Sequence, residues 1–242
     1  MRHFLILRDI TAASPDVLRL AAVDMLIVDL GDASGVASGK GATAFIRSWR
    51  KTCPETPVAV LIPPVRHTNS DLVLSEIMPS APDCVVLAEA QSGMDIQRVG
   101  TRLAVCEAEN GLGDGATKIF AMVETAGSLF QLNSFANSGA RLGGLIWSPA
   151  GVLNQLRENA TGSRGMSFPF DDSVRLGRTL TLIAAANAKI PAFDATPIGL
   201  TARDAFSNAR KEAERDGFSG VISDAPAFFS KIDTASRSAR GG

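Results

Sequence analysis

Short apolar runs rich in β-branched residues recur along the whole chain, and stretches with the period of an α-helix separate them. Each run is apolar at successive positions, which is typical of a strand that is buried on both faces. The predicted strands are His3–Leu7, Met25–Leu30, Val58–Ile62, Cys84–Leu87, Lys118–Val123, Gly144–Trp147, Ile190–Phe193 and Gly220–Ile222. Alternating strand and helix units in this number predict an α/β fold with one domain, a parallel (β/α)8 barrel of the TIM type.

The segments between these runs predict the helices and the extent of the domain. The predicted helices are 14–22, 40–52, 69–78, 93–110, 125–136, 173–188, 203–215 and 227–232. The longest connection, 151–172, holds a short helix followed by a segment rich in Gly and Ser, which is typical of a loop. We therefore expect a barrel over 1–232 and a flexible C-terminal tail over 233–242, with no second domain.

Composition excludes several classes of protein. Of the 242 residues, 45% are hydrophobic and the net charge is -1, so a large core is available and a nucleic-acid partner is not expected. No apolar run approaches the roughly 20 residues of a membrane span, and the first residues are typical of a strand and not of a signal peptide. The three cysteines, Cys53, Cys84 and Cys106, are dispersed, which favours reduced thiols in a cytoplasmic protein.

In a (β/α)8 barrel the chemistry lies at the mouth, where the C-terminal ends of the strands meet. Polar residues at or just after the predicted strand ends are Arg8, Asp29, Asp32, Glu89, Glu124, Ser148, Asp194 and Asp224. So many carboxylates would repel one another unless a cation lay among them, and magnesium prefers such hard oxygen ligands. The alternative is that several of these acids face solvent or cap helices.

Several short segments resemble those of one protein family. Ile27–Ala33, with the order Ile-Val-Asp-Leu-Gly-Asp-Ala, resembles a segment of the citrate lyase β-subunit-like proteins, which belong to the HpcH/HpaI aldolase superfamily. Further segments resemble the same proteins in the same order: 86–92, 122–126, 145–148, 184–194 and 212–220. The resemblance spans nearly the whole chain, although each segment by itself is weak.

The resemblance implies a trimeric or hexameric barrel that binds Mg²⁺ and cleaves or forms a carbon–carbon bond beside the carbonyl of a CoA thioester. The metal would polarise that carbonyl and stabilise the enolate. Family members hold the metal with a Glu after the fifth strand and an Asp after the sixth. The first position is Glu124, which the resemblance makes a metal ligand, whereas the second is Gly151 and the Glu before it is Ala150.

Other family positions are also changed. The arginine at the end of the third strand falls among Leu61–Pro63, the lysine of the fourth strand is Glu89, and the arginine after the Glu-Thr-Ala segment is Gly127. In the segment at the second strand, Gly31 replaces a Glu. One carboxylate without its partner predicts weak or absent magnesium binding, since affinity depends on the number of charged ligands.

Two functions therefore stay open. The first is a carbon–carbon lyase that acts on a CoA thioester or a small 2-oxo or hydroxy acid through a metal-stabilised enolate. The second is a catalytically degenerate paralogue that binds a ligand or a partner protein. In both, we expect Arg8, Asp29, Asp32, Glu89 and Ser148 to contact a small-molecule or acyl-CoA ligand. We assign no catalytic residue, and we expect a homo-oligomer without nucleic-acid or membrane partners.

Overall fold

The computed structural model describes residues 1–11, 15–18, 23–31, 39–67, 69–159 and 171–228. Its strands are β1 (Arg2–Leu7), β2 (Met25–Asp29), β3 (Val58–Ile62), β4 (Cys84–Leu87), β5 (Lys118–Val123), β6 (Leu142–Trp147), β7 (Ala192–Asp194) and β8 (Gly220–Ser223). They form one closed parallel barrel in chain order, in which β8 pairs with β1. The predicted TIM-type barrel is confirmed.

Helices connect successive strands and cover the outside of the barrel. They are α1 (Pro15–Leu18), α2 (Gly39–Thr52), α3 (Ser70–Ile77), α4 (Gly93–Glu109), α5 (Ala126–Phe130), α6 (Pro149–Asn159), α7 (Asp171–Ala188) and α8 (Arg203–Asp216). Short 3-10 turns lie at Met78–Ser80, Leu132–Asn137 and Pro226–Phe228. In the described part of the chain, none of these helices has the length and apolar character needed to cross a membrane.

The side chains inside the barrel alternate with those that face the helices. Phe4, Phe120 and Phe193 fill the interior, with ring centroids 4.6 Å apart for Phe4 and Phe193 and 5.3 Å apart for Phe120 and Phe193. Further along the strands, Ile27, Met122 and Ile146 belong to the same inner cluster. Because successive residues of a strand point to opposite faces, these positions determine which residues beyond them face the mouth.

An ion pair secures the end of the barrel opposite the mouth. The carboxylate of Glu107 in α4 is fully buried and accepts two hydrogen bonds from Arg141, at 2.7 and 2.9 Å. It also accepts the N–H groups of Gly115 and Thr117, at 3.0 and 2.8 Å. Burial favours the protonated acid, but these donors outweigh it and lower the pKa of Glu107 to about 2. The contacts tie α4 to the start of β5 and β6.

Some element bounds differ from those predicted. β6 begins two residues before the predicted Gly144, at Leu142, and β7 begins at Ala192 and not at Ile190. The helix predicted over 125–136 is divided, because Gln131 leaves the helical conformation between α5 and the 3-10 turn. The loop predicted within the connection 151–172 from its Gly- and Ser-rich segment, most of the last predicted helix and the tail 233–242 lie outside the described residues.

Candidate functional site at the barrel mouth

Glu124 is the central acid of the mouth. It follows β5, and its Oε1 accepts a hydrogen bond of 2.8 Å from the backbone N–H of Glu89. The hydroxyl of Ser148 also donates to its carboxylate. Burial raises the pKa of Glu124, and the negative charges of Glu89 and Asp29 raise it further. The two hydrogen bonds lower the pKa but do not offset these effects. Glu124 therefore keeps its proton to higher pH than an ordinary glutamic acid.

Strand geometry places Glu124, Ser148 and Asp29 on the inner face of the mouth. Each lies two residues beyond an inward-facing side chain of its own strand, Met122, Ile146 and Ile27 respectively. Val123 pairs with Trp147 in the sheet, which sets Glu124 beside Ser148. The sequence prediction that these residues converge agrees with this arrangement, and their roles in binding stay a prediction.

Glu89 supports the site through its backbone more than through its side chain. Its φ of 45° is left-handed, and this conformation directs the N–H toward Glu124. Its carboxylate forms an ion pair with Arg66. Gln91 holds the turn, because its Nε2 donates to the carbonyl oxygen of Glu89 at 3.2 Å and to the hydroxyl of Thr125 at 3.0 Å. The sequence analysis did not identify Gln91, since side-chain identity alone gives no signal for this contact.

The remaining predicted residues have different surroundings. Asp29 is half-buried, and its Oδ1 accepts the N–H of Gly31 at 2.9 Å. Arg8 follows β1, next to Asp29 on the neighbouring strand, and its side chain is exposed. Asp224 is half-buried and accepts the N–H of Gly199 at 3.0 Å. Asp32 lies outside the described residues.

Asp194 does not join the mouth, and the prediction that it converges there is wrong. Because Phe193 faces the interior, Asp194 faces the helices. Its Oδ2 accepts hydrogen bonds of 2.9 and 3.1 Å from Arg178 in α7, and its Oδ1 accepts the N–H of Thr196 at 2.9 Å. This buried carboxylate ties β7 to the helical layer.

The residues of the mouth do not fit the two-carboxylate magnesium centre that the resemblance implies. At the position of the second carboxylate, a Cβ added to Gly151 would lie 2.2 Å from the carbonyl oxygen of Glu124. A side chain there is excluded unless the backbone moves, because the oxygen that it would meet belongs to the backbone. Among the described residues, no group of three His, Cys, Asp or Glu side chains could hold a metal ion.

Leu61 and Gly127 stand at two further positions where the resemblance implies an arginine. Leu61 is inward-facing and buried at the end of β3, where the resemblance implies an arginine. Gly127 is packed against Gln91, since an added Cβ would lie 2.5 Å from its Oε1. Neither of these two positions therefore supplies the cationic side chain that the resemblance implies.

Comparisons with known proteins show the fold. No family profile and no curated protein matches the chain. Among solved structures, a citrate lyase from Burkholderia xenovorans LB400 has a TM-score of 0.77 at 16% identity, covering 94% of this chain and 74% of the other. RipC from Yersinia pestis has a TM-score of 0.67 at 20% identity, with coverage of 95% and 92%.

A third structure is the citrate lyase β subunit of M. tuberculosis, complexed with oxaloacetate and magnesium. Its TM-score is 0.66 at 20% identity, and the match covers 94% of this chain and 93% of that one. The structures with this fold thus include the proteins whose segments the sequence resembles. At these identities the likeness shows a shared barrel fold.

Proposed function

We propose that this protein is a divergent barrel of the citrate lyase β-like type that binds a small organic acid at its mouth without a two-carboxylate magnesium centre. One observation carries the proposal: Glu124 is present and half-buried with a raised pKa, while Gly151 is packed against the Glu124 carbonyl where the second carboxylate would stand. The site has thus kept an acid and lost the metal's second ligand.

The chemistry of binding follows from the protonation of Glu124. A protonated carboxyl donates a hydrogen bond, whereas a carboxylate only accepts. A ligand carboxylate or carbonyl oxygen can therefore bind to protonated Glu124, and the hydroxyl of Ser148 lies beside it. The exposed guanidinium of Arg8 offers a charged partner for a second carboxylate of the ligand. A 2-oxo or hydroxy dicarboxylic acid has this set of groups.

A carbon–carbon lyase that acts on such an acid or on an acyl-CoA thioester is the second candidate. The half-buried carboxyl of Glu124 favours it, since a carboxyl with a raised pKa holds a proton that it can transfer to a substrate. The metal-stabilised enolate of the usual reaction requires ligands that the described mouth does not supply. Turnover of acyl-CoA thioesters without added divalent cation would favour this candidate over a binding protein.

The assembly and location of the protein also belong to this proposal. We infer a homo-oligomer, a trimer or hexamer, in the cytoplasm. Phe130, Leu176 and Ile183 support association, because these large apolar side chains are 88%, 60% and 60% exposed in the single chain.

Titration calorimetry with oxaloacetate in the presence of EDTA tests the proposed function. We expect the affinity of the wild type to fall as pH rises through the raised pKa of Glu124, because the carboxyl then loses the proton that it donates. Glu124→Gln should keep affinity and lose the pH dependence, because the amide donates at every pH. The matched control Glu109→Gln, in an exposed residue at the end of α4, should behave as the wild type does.

Two results would contradict the proposal. One is binding that requires magnesium. The other is an equal pH dependence in the wild type and in Glu124→Gln, which would assign the titration to another group.

A further inference from the structure

A cavity of about 490 Å³ lies outside the barrel, between the connection from β3 to α3 and the helix α4. Part of its wall is apolar, with Leu74, Leu87 and Val99 among the lining residues, and Ser70 and Thr101 are polar members. Three arginines lie at the edge of the cavity, Arg66, Arg98 and Arg102. We call this space the α3–α4 cavity. Its size is that of a pocket for a small molecule.

The rim arginines are held weakly and keep donors to spare. Their side chains are 57%, 60% and 61% exposed, and each forms one ion pair with a carboxylate. The pairs are Arg66 with Glu89, Arg98 with Asp95 at 3.7 Å, and Arg102 with Asp71 at 2.8 Å. Surface pairs of this kind contribute little to stability, and each guanidinium carries five N–H donors.

Only one of the three carboxylates, Asp71, belongs to the cavity lining among the described residues. Asp95 is engaged elsewhere, since its Oδ2 accepts the N–H of Gln91 at 2.8 Å. The lining itself therefore holds three arginines and one carboxylate, although each arginine has a carboxylate partner, and His67 is a further polar member. An anion that enters can bind the free faces of the guanidinium groups at little cost in existing contacts.

We propose that the α3–α4 cavity binds a small molecule with a phosphate group and an apolar part, such as a nucleoside monophosphate. The phosphate accepts paired hydrogen bonds from Arg98 and Arg102, a geometry that guanidinium groups favour. The apolar part packs against Leu74, Leu87 and Val99, and this contact gives selectivity over inorganic phosphate. The cavity and the mouth share one contact, the ion pair of Arg66 with Glu89. The test below therefore changes Arg98 and Arg102, whose ion pairs are with Asp95 and Asp71.

Calorimetry with adenosine 5′-monophosphate, inorganic phosphate and adenosine tests the proposal. We expect the monophosphate to bind the wild type most tightly, and the double variant Arg98→Gln/Arg102→Gln to weaken this binding by about tenfold or more, since both charge-assisted contacts are lost. The control Arg157→Gln removes an exposed arginine from α6 and should leave affinity unchanged. Glu124→Gln should also leave it unchanged, which separates this site from the mouth.

Three outcomes would overturn the proposal. The first is the absence of monophosphate binding to the wild type at millimolar concentration. The second is equal affinity in the wild type and the double variant, both folded by circular dichroism. The third is affinity for inorganic phosphate equal to that for the monophosphate, which would remove the role of the apolar wall. If the double variant fails to fold, Arg102→Gln alone provides the same comparison.

Discussion

A side chain at Gly151 is expected to destabilise the barrel, because its position leaves no room for one. The Cβ of Gly151→Ala would lie 2.2 Å from the Glu124 carbonyl oxygen, and 3.3 Å from the carbonyl carbon. Both atoms belong to the backbone, so no rotation of a side chain relieves the contact. Overpacking of this kind costs about 1 to 3 kcal/mol.

Because Gly151 lies in a helix, replacing it with alanine also favours the helical conformation, and this gain offsets part of the loss in stability. Alanine is favoured over glycine by at most about 1 kcal/mol in the interior of a helix, and Gly151 lies in the first turn of α6. We therefore expect a net loss of about 2 kcal/mol, equivalent to a melting temperature lower by about 4 to 8 °C for a chain of this size. Gly151→Asp, which adds the missing carboxylate, should lose at least as much and gain no magnesium binding.

Differential scanning calorimetry of both variants measures this effect. Gly113→Ala is the matched control, because nothing lies within 4 Å of a Cβ added to Gly113 and its φ is not in the left-handed region. Its melting temperature should stay close to that of the wild type. A Gly151→Ala variant as stable as the wild type, or a Gly151→Asp variant that magnesium stabilises, would refute the packing argument.

Three further effects follow from the structure. Burial raises the folded-state pKa of Glu124, so the contribution of this carboxyl to stability is present at low pH and is lost as pH rises through that pKa. Urea unfolding should therefore find Glu124→Gln more stable than the wild type at pH 7. The difference in the free energy of unfolding should shrink toward about pH 4.5. Asp194→Asn should lower the free energy of urea unfolding by about 2 kcal/mol, since Arg178 loses the charged partner that is buried and keeps its ion pair with Asp216. Burial raises the pKa of the Cys84 thiol, so a disulfide reagent should leave Cys84 unmodified in the native protein and label it in urea, whereas a reactive native Cys84 would contradict its burial.

Sequence reasoning located the strands and much of the mouth because both depend on local patterns. Apolar runs fixed the order of the elements, and strand ends converge in any parallel barrel. Glu124 and Ser148 could thus be placed together before their contacts were known. Asp194 could not, because β7 is apolar at both preceding positions, and such a strand gives no sign of which face is inside.

The protonation of Glu124 and the space around Gly151 depend on contacts between segments that are distant in the sequence. The close approach of Gly151 to the Glu124 carbonyl is a backbone contact across 27 residues of chain. The hydrogen bond from the Glu89 N–H to the Glu124 carboxylate spans 35 residues. Side-chain identity does not encode them. The resemblance implies a second carboxylate at Gly151, and the structure leaves no space for a side chain at that position.

The titration of Glu124, followed by carbon-13 NMR of glutamate-labelled protein with and without magnesium, tests the central proposal most directly. Glu124→Gln assigns the signal. The structure predicts a midpoint above the ordinary value of 4.5 that magnesium leaves in place, because burial sets it and no second carboxylate completes a metal site. A midpoint at or below 4.5, or one that millimolar magnesium lowers, would contradict the account.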